Sequence, residues 1–334
     1  MRRLLLIAGL LIGLGLGTAG AQTKEVTFAY QDMLVPYRVL IDQHAIEKAT
    51  GYKINWRQFG GGGDVIRAMA SGDVQVGEAG SSPVAAAASQ GMDVEVFWVL
   101  DDINQAEQLI ARDGSGIASV QDLKGKRVAT PFVSTSHYSL LTALQKAGVN
   151  PRDVRLINMR PPEIAAAWER GDLDAVFIWD PVLSRVKQNG KVVVSAGDLG
   201  APTFDALIVD RAWAAKNHVF MVAFVSMVSK QDTAYRNGQA QWDAESPEVK
   251  SVAKISGAKP DDVPAAMRSY GFPVLQQQAS ATWLGGGKDG GVAKALLDTA
   301  EFLKTQGRVS EVAADYSKFV TPAYVDAALK EGPR

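Results

Sequence analysis

Residues 53–100 decide the fold class, and they read KINWRQFGGGGDVIRAMASGDVQVGEAGSSPVAAAASQGMDVEVFWVL. Short runs typical of β-strands alternate in this stretch with runs that have the apolar spacing of helices. The predicted strands are residues 53–59, 74–77 and 95–100. Strand–helix alternation of this kind predicts an α/β fold with largely parallel strands.

Two helices are predicted between these strands. A glycine turn at residues 60–63 precedes Asp64, which is a good N-cap for a helix over residues 65–70. An Ala-rich helix follows the sequence GSSP at residues 80–83, and Gly91 suits its C′ position.

The alternation extends in both directions along the chain. Upstream, residues 25–30 form a predicted strand and residues 35–48 form a predicted helix that ends before Gly51. Downstream, a second α/β unit begins near Leu109, and the chain is mostly helical beyond Arg211. The further predicted strands are residues 127–132, 154–158, 174–179, 191–195 and 204–209.

Two lobes are the simplest arrangement of these units. Turn residues at 101–106 and at 197–203 predict two crossings between the lobes. The first lobe is then residues 22–103 together with residues 200–334, and the second lobe is residues 104–199. The prediction is a two-lobe α/β protein with a hinge, whose C-terminal helical region packs on the first lobe.

The first residues have the three parts of a secretory signal peptide. Arg2 and Arg3 precede an apolar run, and an A-x-A site ends at Ala21. The run is shorter than the roughly 18–20 residues that span a bilayer, although an N-terminal membrane anchor is the alternative. We therefore expect residues 1–21 to be removed and the mature protein to be periplasmic.

Composition excludes several classes of function. The 35 basic and 36 acidic residues give a net charge of −1, which favours neither nucleic acid nor an anionic membrane as a partner. The chain has no cysteine, so disulfides, zinc–thiolate sites and cysteine nucleophiles are impossible. His44, His137 and His218 have no ligand spacing. No metal and no cofactor are predicted.

Small hydroxyl residues stand at two predicted strand-to-helix junctions, GSSP at residues 80–83 and STSH at residues 134–137. The first N–H groups of a helix have no intrahelical partner, and the positive end of the helix dipole lies there. Such a junction binds an anion without a basic side chain. The alternative is that these hydroxyls only cap their helices. The candidate anion ligands are Ser81, Ser82, Ser134, Thr135 and His137.

Other polar and aromatic residues adjoin predicted strand ends. Asp205 begins a strand and could face a ligand amine, although a lone Asp is more often solvated or capping. Trp179 ends a strand and could cover a ligand or fill a core. The caution given for Asp205, that such a residue is more often solvated or capping, applies also to Glu107, Tyr30 and Gln31. The sequence has no G-x-S-x-G or H-E-x-x-H motif, so no catalytic group is predicted.

Several motifs resemble one known family. They are VTFAYQ at residues 26–31, VIRAMASGDVQVG at 65–77, PFVSTSHYSLL at 131–141, AWERGD at 167–172, GAPTFD at 200–205 and PVLQQQ at 273–278. The chain is similar in these motifs to the substrate-binding proteins of ABC importers for aliphatic sulfonates, nitrate and taurine. The PFVSTSHYS and GAPTFD motifs are most similar to the taurine branch.

The resemblance implies a periplasmic-binding-protein fold of type II. It also implies capture of taurine between the lobes and delivery to a membrane permease with its ATPase, by a protein expected to be a monomer and not an enzyme. The hydroxyl and His residues at the two junctions would surround the sulfonate. Asp205, with Glu107, would face the amine, and Trp179 and Tyr30 would form walls of the cleft.

Some positions depart from the family pattern. Glu78 stands where a neutral amide is usual, Asp180 where Ala is common, and residues 60–63 replace a more polar turn. Two alternatives therefore stay open at this point: a receptor for another small sulfonate or related anion, and a pyrimidine-precursor-type enzyme on the same fold. Whether Glu78 or Asp180 touches the ligand is also open.

Overall fold

A computed structural model describes residues 24–332, so the predicted signal peptide lies outside the described residues. Ten strands form two separate five-stranded sheets within this part of the chain. In chain order the strands are β1 (Glu25–Tyr30), β2 (Lys53–Gln58), β3 (Val76–Gly80), β4 (Val94–Asp102), β5 (Gln108–Arg112), β6 (Arg127–Thr130), β7 (Arg155–Asn158), β8 (Ala175–Ile178), β9 (Gly190–Ser195) and β10 (Phe204–Asp210).

The helices lie between the strands and then fill the C-terminal third of the chain. In chain order they are α1 (Arg38–Asp42), α2 (Ala45–Thr50), α3 (Gly62–Ala70), α4 (Ser81–Ser89), α5 (Thr135–Lys146), α6 (Pro161–Glu169), α7 (Val182–Val186), α8 (Arg211–Lys216), α9 (His218–Asn237), α10 (Pro247–Ser256), α11 (Val263–Met267), α12 (Leu275–Gln278), α13 (Gly291–Thr305) and α14 (Ala323–Glu331). No helix within residues 24–332 is long and apolar enough to cross a membrane.

The two sheets have equivalent strand orders, β2-β1-β3-β10-β4 and β7-β6-β8-β5-β9. The first three strands of each order pair in parallel, as the sequence predicts. The fourth strand, β10 or β5, is antiparallel to both of its neighbours. Each of these strands is the first one after the chain crosses from the other sheet, so it enters from the opposite direction. The α/β prediction is confirmed, with mixed sheets.

The chain crosses between the sheets in residues 103–107 and 196–203, and these two segments are hydrogen-bonded to each other. The N–H of Ile103 donates to the carbonyl of Thr203 at 3.2 Å, and the N–H of Gly197 donates to the carbonyl of Asn104 at 2.7 Å. The predicted lobe boundaries stay a prediction, which the membership of the strands in the two sheets supports.

Two predicted helices differ from the structure. The helix expected over residues 35–48 is divided into α1 and α2, because His44 takes a left-handed φ of 50° between them. The helix expected from residue 65 begins three residues earlier at Gly62, so Asp64 lies in its first turn and is not the N-cap.

The C-terminal helical region packs on the first sheet, as predicted. The ring of Phe224 on α9 lies 5.4 Å from Phe28 of β1 and 6.1 Å from Phe97 of β4, measured between ring centroids. The three rings are 0–1% exposed. Because burial of aromatic surface dominates core energetics, this contact fixes α9 against the first sheet. The C-terminal helices therefore cover the first sheet, and the strand ends near the crossing segments face the space between the two sheets.

Candidate functional site

A small cavity lies between the two sheets, at the carboxyl ends of strands. Gln31 follows β1, Gly80 ends β3 and Trp179 follows β8. The residues that line the cavity are Gln31, Met33, Gly62, Gly80, Pro83, Glu107, Ser134, Thr135, Trp179 and Asp205. Ligands of open α/β sheets bind at this edge, so the cavity is the candidate site.

At the start of α4, the N-cap residue is Gly80, and no side chain caps the helix. Ser81 and Ser82 occupy the next two positions, are 0% and 1% exposed, and have hydroxyl oxygens without a hydrogen-bond partner. The alternative that these two serines only cap the helix is therefore wrong. Neither serine lines the cavity, but their buried hydroxyls adjoin the first N–H groups of the helix, an environment that suits an anion.

At the start of α5, the hydroxyls are largely in use. Ser134 is the N-cap: its Oγ accepts from the His137 N–H at 3.1 Å and donates to the carbonyl of Pro131 at 2.6 Å. The Thr135 hydroxyl donates to Oε1 of Glu107 at 2.5 Å. The capping alternative is thus correct for Ser134, and the carboxyl of Glu107 lies beside the helix start.

His137 lies behind this helix start and does not line the cavity. Its ring stacks on Phe132, with centroids 4.3 Å apart and an interplanar angle of 7°. Burial, helped by the positive charge of Arg308, lowers the pKa of His137 to about 4. The imidazole is therefore neutral at physiological pH, and its buried Nε2 has no hydrogen-bond partner.

Asp205 and Glu107 are the two carboxyls that line the cavity. Burial raises the pKa of Asp205 to about 7, against the opposing effect of Arg38. Burial, together with the nearby charge of Asp205, raises the pKa of Glu107 to about 8. Two buried carboxyls with raised pKa values form a site that a cation would suit.

Asp101 belongs to the same group, and the sequence analysis missed it. It pairs in register with Asp205 across β4 and β10, it is fully buried, and neither of its carboxyl oxygens has a hydrogen-bond partner. Burial and the charge of Asp205 raise its pKa well above the usual value. The available signal was an acidic residue at the end of the apolar run EVFWVL, which we interpreted as part of a turn.

Glu78 does not line the cavity, because its carboxyl is engaged elsewhere. Its oxygens accept from the guanidinium of Arg38 at 2.5 and 2.9 Å, and Oε2 also accepts from the backbone N–H of Gln31 at 2.7 Å. Both members of this ion pair are 0% exposed. Removing either partner would leave an uncompensated buried charge. The pair therefore fixes the position of Gln31 at the cavity wall.

The remaining predicted residues are placed as follows. The indole Nε1 of Trp179 donates to Oδ1 of Asp32 at 2.9 Å, and the ring lines the cavity. Asp180 accepts from the backbone N–H of Ser184 at 2.9 Å and does not line the cavity. Tyr30 also lies outside the lining, where its ring covers the guanidinium of Arg38 at 5.2 Å. The roles in ligand binding stay predictions.

Gly80 brings the two sheets close together at the cavity. A Cβ atom on Gly80 would lie 2.6 Å from Cγ2 of Thr135 and 3.0 Å from Oδ1 of Asp205. The distance to Thr135 is shorter than Cβ contacts tolerate, and the distance to Asp205 would require a small shift of its carboxyl, so glycine fits this approach best. Thr135, Asp205 and the start of α4 therefore meet at one point. Among residues 24–332, no cluster of three or more acidic or histidine side chains could hold a metal ion.

Comparison with known proteins gives matches along nearly the whole chain. The NMT1/THI5-like family matches residues 48–235. The taurine-binding periplasmic protein of Escherichia coli K12 is 38% identical over 308 residues, which cover 91% of this chain and 94% of that protein. A putative aliphatic sulfonates-binding protein of the same organism is 32% identical over 57% of this chain and 60% of its own length.

Solved structures share the fold. The alkanesulfonate-binding protein SsuA from Xanthomonas axonopodis pv. citri, bound to MOPS, gives a TM-score of 0.73 at 23% identity, covering 91% of this chain and 98% of that chain. The desulfurization enzyme DSZB gives a TM-score of 0.64 at 15% identity, covering 92% and 99%. The predicted periplasmic-binding-protein fold is thus confirmed, and the same fold also occurs in an enzyme.

Proposed function

The chain belongs to the NMT1/THI5-like family, and from this premise we propose that it is the periplasmic taurine-binding component of an ABC importer. The proposal rests on one observation above all. The carboxyl of Asp205 lines the cavity next to Gly80, and directly after Gly80 α4 begins with two unpartnered serine hydroxyls, which are buried outside the cavity lining. Groups suited to an anion and groups suited to a cation therefore lie a few atoms apart, as the two ends of a short zwitterion do.

The anion end of the cavity suits a sulfonate. A sulfonate stays ionised at every physiological pH and offers three acceptor oxygens, so neutral hydroxyl and N–H donors suffice and no proton is handled. Ser81 and Ser82 with the first N–H groups of α4 supply such donors. On the α5 side the Thr135 hydroxyl lines the cavity but already donates to Glu107.

The carboxyl end of the cavity selects the amine. Asp205 and Glu107 would accept hydrogen bonds from an ammonium, and hydrogen bonds between charged groups are the stronger class. With an amine-free sulfonate the carboxyls would stay uncompensated in a buried site that already receives a negative charge. Because burial of unpaired charge is costly, the site discriminates against such ligands.

Transport partners and location follow from the same proposal. A relative of this chain, in Brachyspira hyodysenteriae, is a putative ABC transporter periplasmic binding protein at 26% identity. We propose that residues 1–21 direct export, that the mature protein is a periplasmic monomer, and that the ligand-bound form delivers taurine to a permease with its ATPase.

Calorimetry on protein purified without residues 1–21 tests the function. Taurine, ethanesulfonate, β-alanine and nitrate are titrated separately at one pH and ionic strength. We expect tight binding of taurine and at least tenfold weaker binding of each of the others. Absence of heat with taurine, together with strong heat from ethanesulfonate or nitrate, would refute the proposal in favour of the wider class of anion receptors.

The proposal includes no chemical step on the ligand. The pyrimidine-precursor enzymes of this fold use His and Cys chemistry, and this chain has no cysteine. His137 is held against Phe132 and is absent from the cavity lining. Incubation of protein and taurine followed by proton NMR should show the ligand unchanged, whereas loss of its methylene signals would favour the enzyme alternative.

A further inference from the structure

Three carboxyl groups form a contiguous cluster beneath the cavity. Asp205 on β10 stands directly opposite Asp101 on β4, and residues paired in this way project to the same face of the sheet with Cβ atoms about 5 Å apart. Asp205 also reaches the contact between Gly80 and Thr135, whose hydroxyl donates to Glu107 at 2.5 Å. We refer to Asp101, Glu107 and Asp205 as the carboxyl cluster.

A β-bulge contributes to this arrangement. The register of β10 against β4 shifts between Asp205 and Ala206, so that Asp205 pairs with Asp101 while Ala206 pairs with Val99. Bulges re-orient side chains next to functional sites. The shift brings Asp101 opposite Asp205, and both side chains are then buried, at 0% and 6% exposure.

The carboxyl cluster has more negative groups than its surroundings can compensate. The facing cation, Arg38, is already bound through two hydrogen bonds by Glu78. Both oxygens of Asp101 and Oε2 of Glu107 are buried without a hydrogen-bond partner. Several adjacent carboxylates cannot all be ionised in such a place, so the unliganded cluster retains protons.

We propose that Asp101 is a specificity-determining residue: as a member of the carboxyl cluster, it makes binding of an ammonium release a proton and binding of an amine-free sulfonate take one up. This inference rests on the proposed function of the site. Asp101 does not line the cavity. It acts on the ligand indirectly, because its carboxyl changes the protonation of Asp205.

Other charged and titratable groups around the carboxyl cluster do not remove the coupling between ligand binding and protonation of the cluster. Glu78 faces Asp205, its carboxyl is bound by Arg38, and burial raises its pKa well above the usual value. Tyr270 is fully buried beside the cluster, and burial raises its pKa well above 10, so it stays protonated. The groups that face the cluster or its immediate neighbours include Arg38 on α1, Glu78 on β3, Asp102 on β4 and Tyr270 after α11, with Tyr30, Asp32 and Asp180 next to them.

The two kinds of ligand should respond to pH in opposite directions. An ammonium favours the ionised cluster, so protons compete with taurine, and taurine affinity rises with pH. A sulfonate without an amine adds a negative charge and favours the protonated cluster, so its affinity falls as pH rises. By linkage, exchange of one proton changes the association constant by about tenfold per pH unit. Selectivity for the amine therefore increases with pH.

Calorimetry in buffers of different ionisation enthalpy measures the exchanged protons directly. Wild-type protein is titrated with taurine and with ethanesulfonate at pH 7 in phosphate, imidazole and Tris. We expect release of up to about one proton with taurine, and uptake with ethanesulfonate. Taurine heats that are independent of the buffer would overturn the inference while leaving the proposed function intact. Absence of taurine binding at every pH would overturn both.

The variant Asp101→Asn tests the role of this residue. The amide keeps the shape of the side chain, and one carboxyl fewer lets Asp205 ionise at lower pH. We expect taurine to release fewer protons, the taurine pH profile to flatten, and the preference for taurine over ethanesulfonate to depend less on pH. The matched control is Asp261→Asn, which removes the same charge from an exposed position and should keep the wild-type proton count.

Each result with the variant decides the matter. An unchanged proton count in Asp101→Asn, with binding intact, would overturn the role of Asp101. If Asp101→Asn does not fold, the wild-type protein is measured from pH 6 to 8.5 instead. Opposite slopes for taurine and ethanesulfonate would then support the inference, and parallel slopes would overturn it.

Discussion

The indole Nε1 of Trp179 donates a hydrogen bond of 2.9 Å to Oδ1 of Asp32, and this bond joins the two sheets across the cavity. Trp179 follows β8 of the second sheet, and Asp32 follows β1 of the first. Burial raises the pKa of Asp32 to about 6, so its carboxylate is mostly ionised at neutral pH and accepts strongly. The bond can form only when the two strand ends are close, so it stabilises the closed arrangement.

Trp179→Phe should therefore weaken taurine binding by about tenfold or more, since the aromatic wall remains but a hydrogen bond to a charged acceptor is lost. Calorimetry at pH 7 is the measurement. Trp168→Phe is the matched control, because its indole Nε1 donates to Asn189 within the second lobe at 2.6 Å. Equal taurine affinities for the two variants would contradict a role of the Asp32 bond in closure.

Asp205→Asn should lower taurine affinity by about ten- to a hundredfold, which corresponds to loss of a charge-assisted contact of about 1.5–3 kcal/mol. Ethanesulfonate affinity should stay constant or rise, because a negative charge leaves its site. Parallel titrations with both ligands provide the measurement. Asp198→Asn, at a solvent-exposed turn, is the control. Equal losses for the two ligands would refute the assignment of Asp205 to the amine.

Gly80→Ala should prevent full approach of the sheets, because its methyl group would overlap Thr135 and Asp205. We expect taurine affinity to fall by at least about tenfold and the radius of gyration to stay at its unliganded value on addition of taurine. Gly63→Ala is the control, since a Cβ there would lie no closer than 3.5 Å to Val133. Normal compaction of Gly80→Ala in small-angle scattering would contradict the argument.

Unliganded protein should lose stability as pH rises from 6 to 8.5. Asp205 and Glu107 have folded-state pKa values of about 7 and about 8, above those of the unfolded chain. Their contribution is therefore complete below the unfolded pKa values and is lost as pH passes the folded values. His137 acts in the opposite direction, because its folded pKa of about 4 costs stability as pH falls below 6.5.

Thermal melts at half-unit pH steps measure this dependence, with and without taurine. We expect the increase in Tm caused by taurine to grow between pH 6 and 8, since the ammonium compensates the ionising carboxyls. The double variant Asp205→Asn, Glu107→Gln should show a flatter profile. A profile equal to that of the wild type would mean that these two carboxyls do not titrate in this range.

The fold was accessible from the sequence because strands and helices alternate with distinct periodicities. The antiparallel direction of β5 and β10 could not be predicted from the sequence, since a buried antiparallel strand has the same residue pattern as a parallel one. The division of the first helix at His44 could not be predicted either. His44 takes a left-handed φ, and the sequence has no glycine or proline at this position to indicate a break.

The candidate site was predicted in part. Six of the ten predicted residues line the cavity: Gln31, Glu107, Ser134, Thr135, Trp179 and Asp205. Asp101 could not be assigned to the site, because its position opposite Asp205 depends on strand pairing and on a bulge. Tyr30 lies on the other side of β1 from the cavity. A strand end predicted from sequence is uncertain by at least one residue, and a shift of one residue changes the side to which a side chain projects.

The paired crossing segments between the sheets affect how the two halves of the candidate site would come together around a ligand. Residues 103–107 and 196–203 are hydrogen-bonded to each other, so the two sheets are joined by a two-stranded connection and not by a single flexible tether. Under the proposed function, each half of the binding site would therefore encounter the other at a high effective concentration. Closure on a ligand would then be an intramolecular step, and its entropic cost would be correspondingly small.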